Sequence, residues 1–346
     1  MFSPLQIAQV AFEFREEIGA DGKNSQTFLA YDHQLDANIV IKKIAKADIE
    51  DRETYFEESR RLYASAHPNV VQLHYACEDD DHIFVAMPFY RKGSLKHLIN
   101  ERYLTVREIV AYGCQIASGL HNIHSKGLIH FDVKADNVLL SDRNEALISD
   151  FGLAMAQNTA GKALPYGVYV PITPPESLSE FEFDRTYDIY QFGIALYVMC
   201  NGPKCLSDQV SSFEIDHDLG ANAFYTALTD GKFPDRKAFL PHIPSKLRRI
   251  IVRCLNIDPG KRYLSALDVA NDLAQVDGLL DWHFEVLPTG RRWTRAVNGT
   301  IIVLDVEQGG SSVMTKSVNG SKAKRQTNGC KVNLTDAGIS KLLGAS

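Results

Sequence analysis

The sequence predicts an α+β protein in three successive parts: a strand-rich beginning, a helical middle and a short strand-rich end. Three observations predict this. Residues 11–44 alternate between apolar and polar side chains around a Gly/Asp/Asn cluster at 19–25, the pattern of half-buried strands and a turn. From Ser94 the apolar residues recur at helical spacing. From 285 onward, short β-like runs are separated by Asn-Gly or Gly-Gly turns at 298–299, 309–310 and 319–320.

The chain has 346 residues, 45% hydrophobic and 23% charged, an ordinary balance for a globular protein with ample length for a core. Its net charge of −6 argues against a chain that binds nucleic acid throughout its length. That charge is uneven. Residues 285–346 hold nine Lys/Arg and four Asp/Glu, a net of +5, which leaves residues 1–284 at −11. Such asymmetry predicts a separate basic module drawn to its acidic neighbour by charge. The six scattered cysteines form no Cys-x-x-Cys pair, so neither a zinc site nor a disulfide framework is expected, and a reducing cytoplasmic setting is. No basic segment followed by an apolar run opens the chain, so no signal peptide is expected. The most apolar stretch, Ile189 to Cys200, is too short to span a bilayer and reads as a buried helix, so no membrane partner is expected.

In order, residues 11–44 read as strand, turn, strand, loop, strand. Residues 49–66 suit an amphipathic helix, with Phe56, Leu62 and Tyr63 among charges, ending before His67-Pro68. Strands follow at 70–76 and 82–87, around an acidic turn at 78–81. Thr105-x-x-Glu108 is a capping box that opens a helix to about Ser125, and Gly127 breaks it. Apolar runs at 138–140 and 146–148 flank a polar turn, as in a hairpin. Residues 153–173 are irregular, and loops of such length are usually functional or disordered. Residues 205–242 hold acidic and Pro-rich pieces, while 244–256 and 264–276 read as closing helices. The tail predicts strands at 293–297, 300–306 and 312–318 and a helix over 337–343.

The chemistry concentrates in residues 130–152, which read His130-Phe131-Asp132-Val133-Lys134-Ala135-Asp136-Asn137, a short strand-like run, then Asp150-Phe151-Gly152. Phosphoryl transfer requires a group that aligns a hydroxyl and accepts its proton, and oxygen ligands for the metal ions that bridge nucleotide phosphates. Asp132 suits the first task, and Asn137 and Asp150 suit the hard, octahedral Mg2+. Lys134 can neutralise charge on the transferring group.

This stretch resembles the catalytic loop and the Asp-Phe-Gly segment of eukaryotic-type protein kinases, and ordered motifs extend the resemblance over about 11–282. It implies a bilobal fold, with a β-rich lobe over 11–88 and a helical lobe over 89–283, while the small basic β-rich module over 284–346 has no counterpart in the family. It further implies ATP and Mg2+ as cofactors and Asp132 and Lys134 as catalytic residues. Lys42, in Ile39-Val40-Ile41-Lys42, falls where the family's lysine contacts the α- and β-phosphates, paired with a helix glutamate at Glu58. Gly19 and Gly22 correspond to the lid over the phosphates, Val40 to the residue over the base, Met87 to the gatekeeper, and Pro88 to Gly93 to the hinge, whose backbone donor is Phe89 or Tyr90, with Leu139 also among the cofactor-binding residues. Glu176 and Arg262 match a structural ion pair, and Asp188 and Gly193 a buried helix that anchors the catalytic loop. Lys134 two residues after Asp132 is the serine/threonine pattern, whereas Val170-Pro171-Ile172 has some tyrosine-kinase character, so tyrosine or dual specificity stays open. Protein substrates are implied, including autophosphorylation at Thr159, Tyr166, Tyr169 or Thr173.

The pattern is broken in places. The glycine loop is degraded, Thr27 and Val40 replace valine and alanine, and Phe131 replaces the arginine that receives a phosphate from the activation segment. Control through that phosphate is therefore not expected. Two alternatives stand beside the active kinase: a pseudokinase scaffold that binds nucleotide weakly, and an adaptor whose basic tail binds nucleic acid or an acidic partner. The tail's candidates are Arg291, Arg292, Trp293, Arg295, Lys322, Lys324 and Arg325.

Overall fold

The computed structural model describes residues 9–22, 25–48, 56–165, 170–213 and 218–345. The alternating N-terminal sequence forms β1 (Phe12–Gly22), β2 (Ser25–Asp32), β3 (Ala37–Ala45), β4 (Tyr75–Glu78) and β5 (His82–Pro88), an antiparallel sheet in the order β1-β2-β3-β5-β4. Side chains alternate across a strand, so each face has its own cast. Ala30, Ile39, Ile41, Phe84 and Ala86 make a small core on one face. Val40 and Lys42 point to the other face, opposite Met87 and Val85 respectively. The tip of the glycine turn, Lys23 and Asn24, lies outside the described residues, as do Tyr166 and Tyr169.

The described part of the expected 49–66 helix is α1 (Glu57–Ala64). The strand expected over 70–76 is reduced to β4 at Tyr75–Glu78. Val70 and Val71 are instead pinned between the lobes. The Val71 N–H donates to the Ile148 carbonyl at 2.8 Å, and Val70 is fully buried.

The helical lobe begins with α2 (Leu95–Glu101) and α3 (Val106–Ser125). The predicted capping box is formed in both directions, Thr105 accepting from the Glu108 N–H and Glu108 from the Thr105 N–H. Between α3 and the next helix run β6 (Leu128–Ile129), β7 (Val138–Leu140), β8 (Ala146–Ile148) and β9 (Met155–Ala156), with β6 paired to β9 and β7 to β8. Next, α4 (Thr186–Asn201) is buried from Thr186 to Cys200, as an apolar surface all round a helix requires. Gly193 lets it approach its neighbour, since a Cβ there would lie 2.7 Å from the Cβ of Cys254. The stretch of acidic and Pro-rich pieces over 205–242 holds α5 (Cys205–Ser211) and α6 (Asp218–Thr229), and α7 (Ser245–Cys254) and α8 (Ala266–Ala274) close the lobe. Among the described residues, no helix is long and apolar enough to cross a membrane.

The tail is a five-stranded meander, β10 (Trp282–Leu287), β11 (Gly290–Val297), β12 (Thr300–Glu307), β13 (Ser312–Val318) and β14 (Lys324–Gln326), followed by α9 (Asp336–Gly344). Asn298-Gly299 and Asn319-Gly320 turn two of its hairpins with positive φ at both residues, the requirement of the tight turn that matches strand twist. One sheet face, with Trp282, Phe284, Trp293 and Leu304, packs with Ile339 and Leu343 of α9 and against Tyr103 and Leu240 of the helical lobe. The Trp293 indole N–H donates to His242 Nδ1 at 3.2 Å, and His242 stacks on Phe284 with ring centres 5.5 Å apart. Burial pushes the His242 imidazole down to about 3, so it is held neutral.

Attachment is therefore mainly apolar, not the attraction of opposite charges that the composition predicts, with Arg107–Asp281 at 2.6 Å as a supplementary ion pair. The basic surface is corrected in the same way. Trp293 is fully buried and so cannot stack on a nucleic-acid base. Arg291 pairs with Asp336 at 2.8 Å, Arg292 with Asp305 at 2.6 Å, and Arg295 lies 5.2 Å from the centre of a Trp282 ring. Lys322, Lys324 and Arg325 stay exposed.

Candidate active site

The catalytic loop is held from beneath by α4. Asp188 accepts from the backbone N–H groups of His130 and Phe131, each at 2.8 Å, and meets His124 Nε2 at 2.8 Å. Gln191 accepts from the Val133 N–H at 3.0 Å and donates to the Phe131 carbonyl at 2.9 Å. Buried amides must find partners, and these two side chains satisfy a run of backbone with no regular structure of its own. They also secure the left-handed backbone of Phe131, φ 64°, a conformation uncommon for a bulky residue.

Held in this way, the loop brings Asp132, Lys134 and Asn137 together. Asp132 Oδ2 accepts from Lys134 Nζ at 2.8 Å and from Asn137 Nδ2 at 2.7 Å. The amide nitrogen of Asn137 also donates to the Asp132 carbonyl at 3.0 Å, which turns its Oδ1 away from Asp132. Ser149 links the two motifs, its N–H donating to the Asn137 carbonyl at 2.8 Å. Asp150 follows in a left-handed conformation, φ 59°. Phe151 is buried beside the His130 ring, 5.1 Å between centres.

Lys42 reaches across from the sheet to Asp150 Oδ1 at 3.1 Å. Burial opposes ionisation of Asp150, but the Lys42 ammonium and the Gly152 N–H outweigh it and hold the carboxyl below its ordinary value. A Cβ on Gly152 would meet Asp150 Oδ1 at 3.3 Å and Lys42 Nζ at 3.4 Å, so glycine keeps this corner clear. The Asp150 carboxylate and Asn137 Oδ1 are hard oxygen donors that fit a divalent cation. Among the described residues, no group of three or more His, Cys, Asp and Glu side chains forms a metal cage, so such a cation would draw its remaining ligands from substrate and water.

The remaining candidates fall into place around this corner. Val40 and Met87 are cross-strand partners on the face that carries Lys42. Leu139 is half-buried between the buried Val138 and Leu140, beneath the crossing from β5 to α2, where the Leu140 N–H donates to the Gly93 carbonyl at 3.0 Å. Phe89 lies at that crossing. Gly19 and Gly22 pair with Thr27 and Ser25 in an irregular β1–β2 ladder. Glu58 lies on α1, but its side chain is outside the described residues.

Arg61, one turn beyond Glu57, hydrogen-bonds Glu57 and donates to the Ala154 carbonyl at 2.8 Å, tying α1 to the segment after Gly152. The Glu176–Arg262 pair is formed twice over, at 2.6 Å through each of the guanidinium's Nη1 and Nη2. Phe131 packs at 2% exposure with Ile129, Ala163, Phe183 and Tyr187. Ala163 and Phe183 exchange backbone hydrogen bonds at 2.8 and 2.9 Å. Thr173 is 4% exposed, whereas Thr159 is open to solvent.

Residues 12–272 match the protein kinase domain family. A probable serine/threonine-protein kinase of Clostridium acetobutylicum is 28% identical over 274 residues, covering 77% of this chain and 40% of that protein. Serine/threonine-protein kinase PknD of Chlamydia felis is 24% identical over 298 residues, 75% of this chain and 30% of that one. Calcium/calmodulin-dependent protein kinase type 1B of Rattus norvegicus is 26% identical over 330 residues, 91% of each chain. This chain thus spans less than half the length of the first two relatives. With the family match running through both lobes and over the site just described, the chain belongs to the protein kinase family.

Proposed function

We propose that this chain is a protein serine/threonine kinase that transfers the γ-phosphoryl group of ATP, with Mg2+, to hydroxyls of protein substrates and of itself, in the cytoplasm. The observation that carries the reading is the convergence of Lys42 on Asp150 at 3.1 Å beside the Asp132–Lys134–Asn137 cluster. Asp132 orients the acceptor hydroxyl and takes its proton. Lys134 stands 2.8 Å from that carboxylate and offsets negative charge at the transferring group. Asn137 and Asp150 are the cation ligands, and Mg2+, when bound, supplies charge neutralisation across the phosphates. Lys42 holds the α- and β-phosphates, with Glu58 as its partner on α1. The base lies between Val40 and Leu139, with Met87 behind it and the backbone at Phe89 along its edge, and Gly19 and Gly22 let the β1–β2 backbone approach the phosphates.

A scaffold without catalysis has no chemical need for these groups to converge. Serine/threonine preference rests on Lys134 and on the relatives' names. The test is incubation with radiolabelled ATP, Mg2+ and peptides bearing serine, threonine or tyrosine, followed by analysis of the labelled amino acid. Label on serine or threonine supports the reading, label on tyrosine alone contradicts the specificity, and no label contradicts the activity.

A further inference from the structure

We propose that the cleft between the helical lobe and α9 binds a phosphate monoester carried on a protein segment. The cleft measures about 630 Å³ and lies between Lys237, Phe239 and Arg248 of the lobe and Asp336, Ser340 and Lys341 of the helix. It is far from neutral, with three cations facing one carboxylate. Even that carboxylate is engaged elsewhere, since Asp336 Oδ1 accepts from Arg291 at 2.8 Å.

Arg248 is fixed in place. Its Nε donates to the Ile243 carbonyl at 2.7 Å, its Nη2 to the Leu240 carbonyl at 3.2 Å, and the guanidinium lies 5.7 Å from the centre of the Phe239 ring. Among the described residues Nη1 makes no hydrogen bond. Burial depresses the basicity of the group, and among the described residues no carboxylate comes within ion-pair distance to compensate. The Asp336 charge offsets this burial only in part, so the half-buried cation stays under-compensated, and a bound anion reduces that cost. Lys237 and Lys341 are exposed and form no ion pair among the described residues, so both can fold inward.

The charge selects the ligand. The four charged side chains sum to +2, which complements the roughly −1.5 to −2 of a phosphate monoester at neutral pH better than a single carboxylate. A fixed guanidinium flanked by mobile ammonium groups suits tetrahedral oxygens. The volume is that of a pocket for several side chains, and Phe239 gives it an apolar wall that a free phosphate ion cannot use. Because the walls belong to two different parts of the chain, occupancy bridges them and must stabilise the docked tail.

The experiment uses the full chain without ATP, so the result does not depend on phosphoryl transfer. A fluorescein-labelled peptide with one phosphoserine between apolar residues is titrated by anisotropy, alongside its unphosphorylated twin. Inorganic phosphate serves as competitor. Binding of the phosphopeptide alone is expected, with a raised melting temperature, and a Lys237→Ala/Lys341→Ala double variant should weaken it by about tenfold or more. Both lysines are exposed, so the unliganded variant should melt at the wild-type temperature. Absent binding, or equal binding by wild type and variant, overturns the site. Displacement by inorganic phosphate at a concentration similar to the peptide's overturns the protein-segment ligand.

Discussion

The catalytic loop and the C-terminal tail both rest on the helical lobe, and opposite physics holds them. The loop is anchored by polar contacts. Asp188 takes two backbone N–H groups and His124, and Gln191 serves both a donor and an acceptor. The tail is anchored by aromatic burial, with Trp282 and Trp293 fully buried and a single indole–imidazole bond between Trp293 and His242. A segment that presents chemistry cannot hide its backbone in a sheet, so it borrows partners from a helix. A segment that has its own sheet can attach through whatever apolar surface is left.

The largest expected effect lies at the loop. Asp150→Ala or Lys42→Ala should each lower transfer by about a hundredfold or more, because positioned charges supply most of the catalysis. Folding should persist in both, as checked by circular dichroism. Next comes the anchor. Asp188→Ala leaves His124 and two amides without their partner in a buried site and should cost about 3–5 kcal/mol of stability, read from urea unfolding, together with loss of transfer. On the tail side, Trp293→Ala should cost a similar amount, about 3–5 kcal/mol. It should nevertheless spare transfer per folded molecule, and a drop equal to that of Asp188→Ala would erase the distinction between the two attachments.

Smaller effects sharpen the contrast. His242 is pushed down to about 3 by burial, below its unfolded value near 6.5. Below about pH 6.5 the unfolded chain takes up the proton and the folded chain does not, so stability is full above that pH and falls toward pH 3 by up to about 1.4 kcal/mol per unit. His242→Gln should flatten that limb in melting curves between pH 6.5 and 4.5. Apolar attachment also predicts that raising NaCl from about 0.05 to 0.5 M leaves the melting temperature nearly unchanged, because salt screens charges and not buried indoles. The smallest effect is expected from Val40→Ala, which should widen the base site and admit bulkier purine analogues. Unchanged analogue affinity would place Val40 away from the base.

The constellation was readable because its side chains are polar and lie close in sequence. Asp132, Lys134, Asn137 and Asp150 declare themselves within 19 residues, and the capping box at Thr105 and Glu108 is equally local. Long-range polar anchors were harder to see. Gln191 sits in the most apolar run of the chain, where a lone amide looks like an exception, yet it holds Val133 and Phe131. Arg61 looked like one more charge on a solvated helix, and its link to Ala154 crosses 93 residues. Trp293 and its neighbouring arginines read as a basic surface because sequence shows charge and hides direction. The partners Asp305 and Asp336 became visible only when the sheet register and α9 brought them near. Strand β10 escaped because its alternation overlaps the expected end of the kinase lobes.

Phe131 ties the comparison together, since it places apolar packing inside the polar loop. Its ring sits 5.0 Å from Tyr187 in the cluster that also receives Ala163 and Phe183, so apolar packing fastens the segment after Gly152 to the loop. The most direct measurement is transfer from radiolabelled ATP by full-length protein before and after phosphatase treatment, with Asp150→Ala as the inactive control. Rates within about twofold of each other, and far above the control, are predicted. Loss of transfer on dephosphorylation, or wild-type transfer no greater than the Asp150→Ala control, would contradict the account.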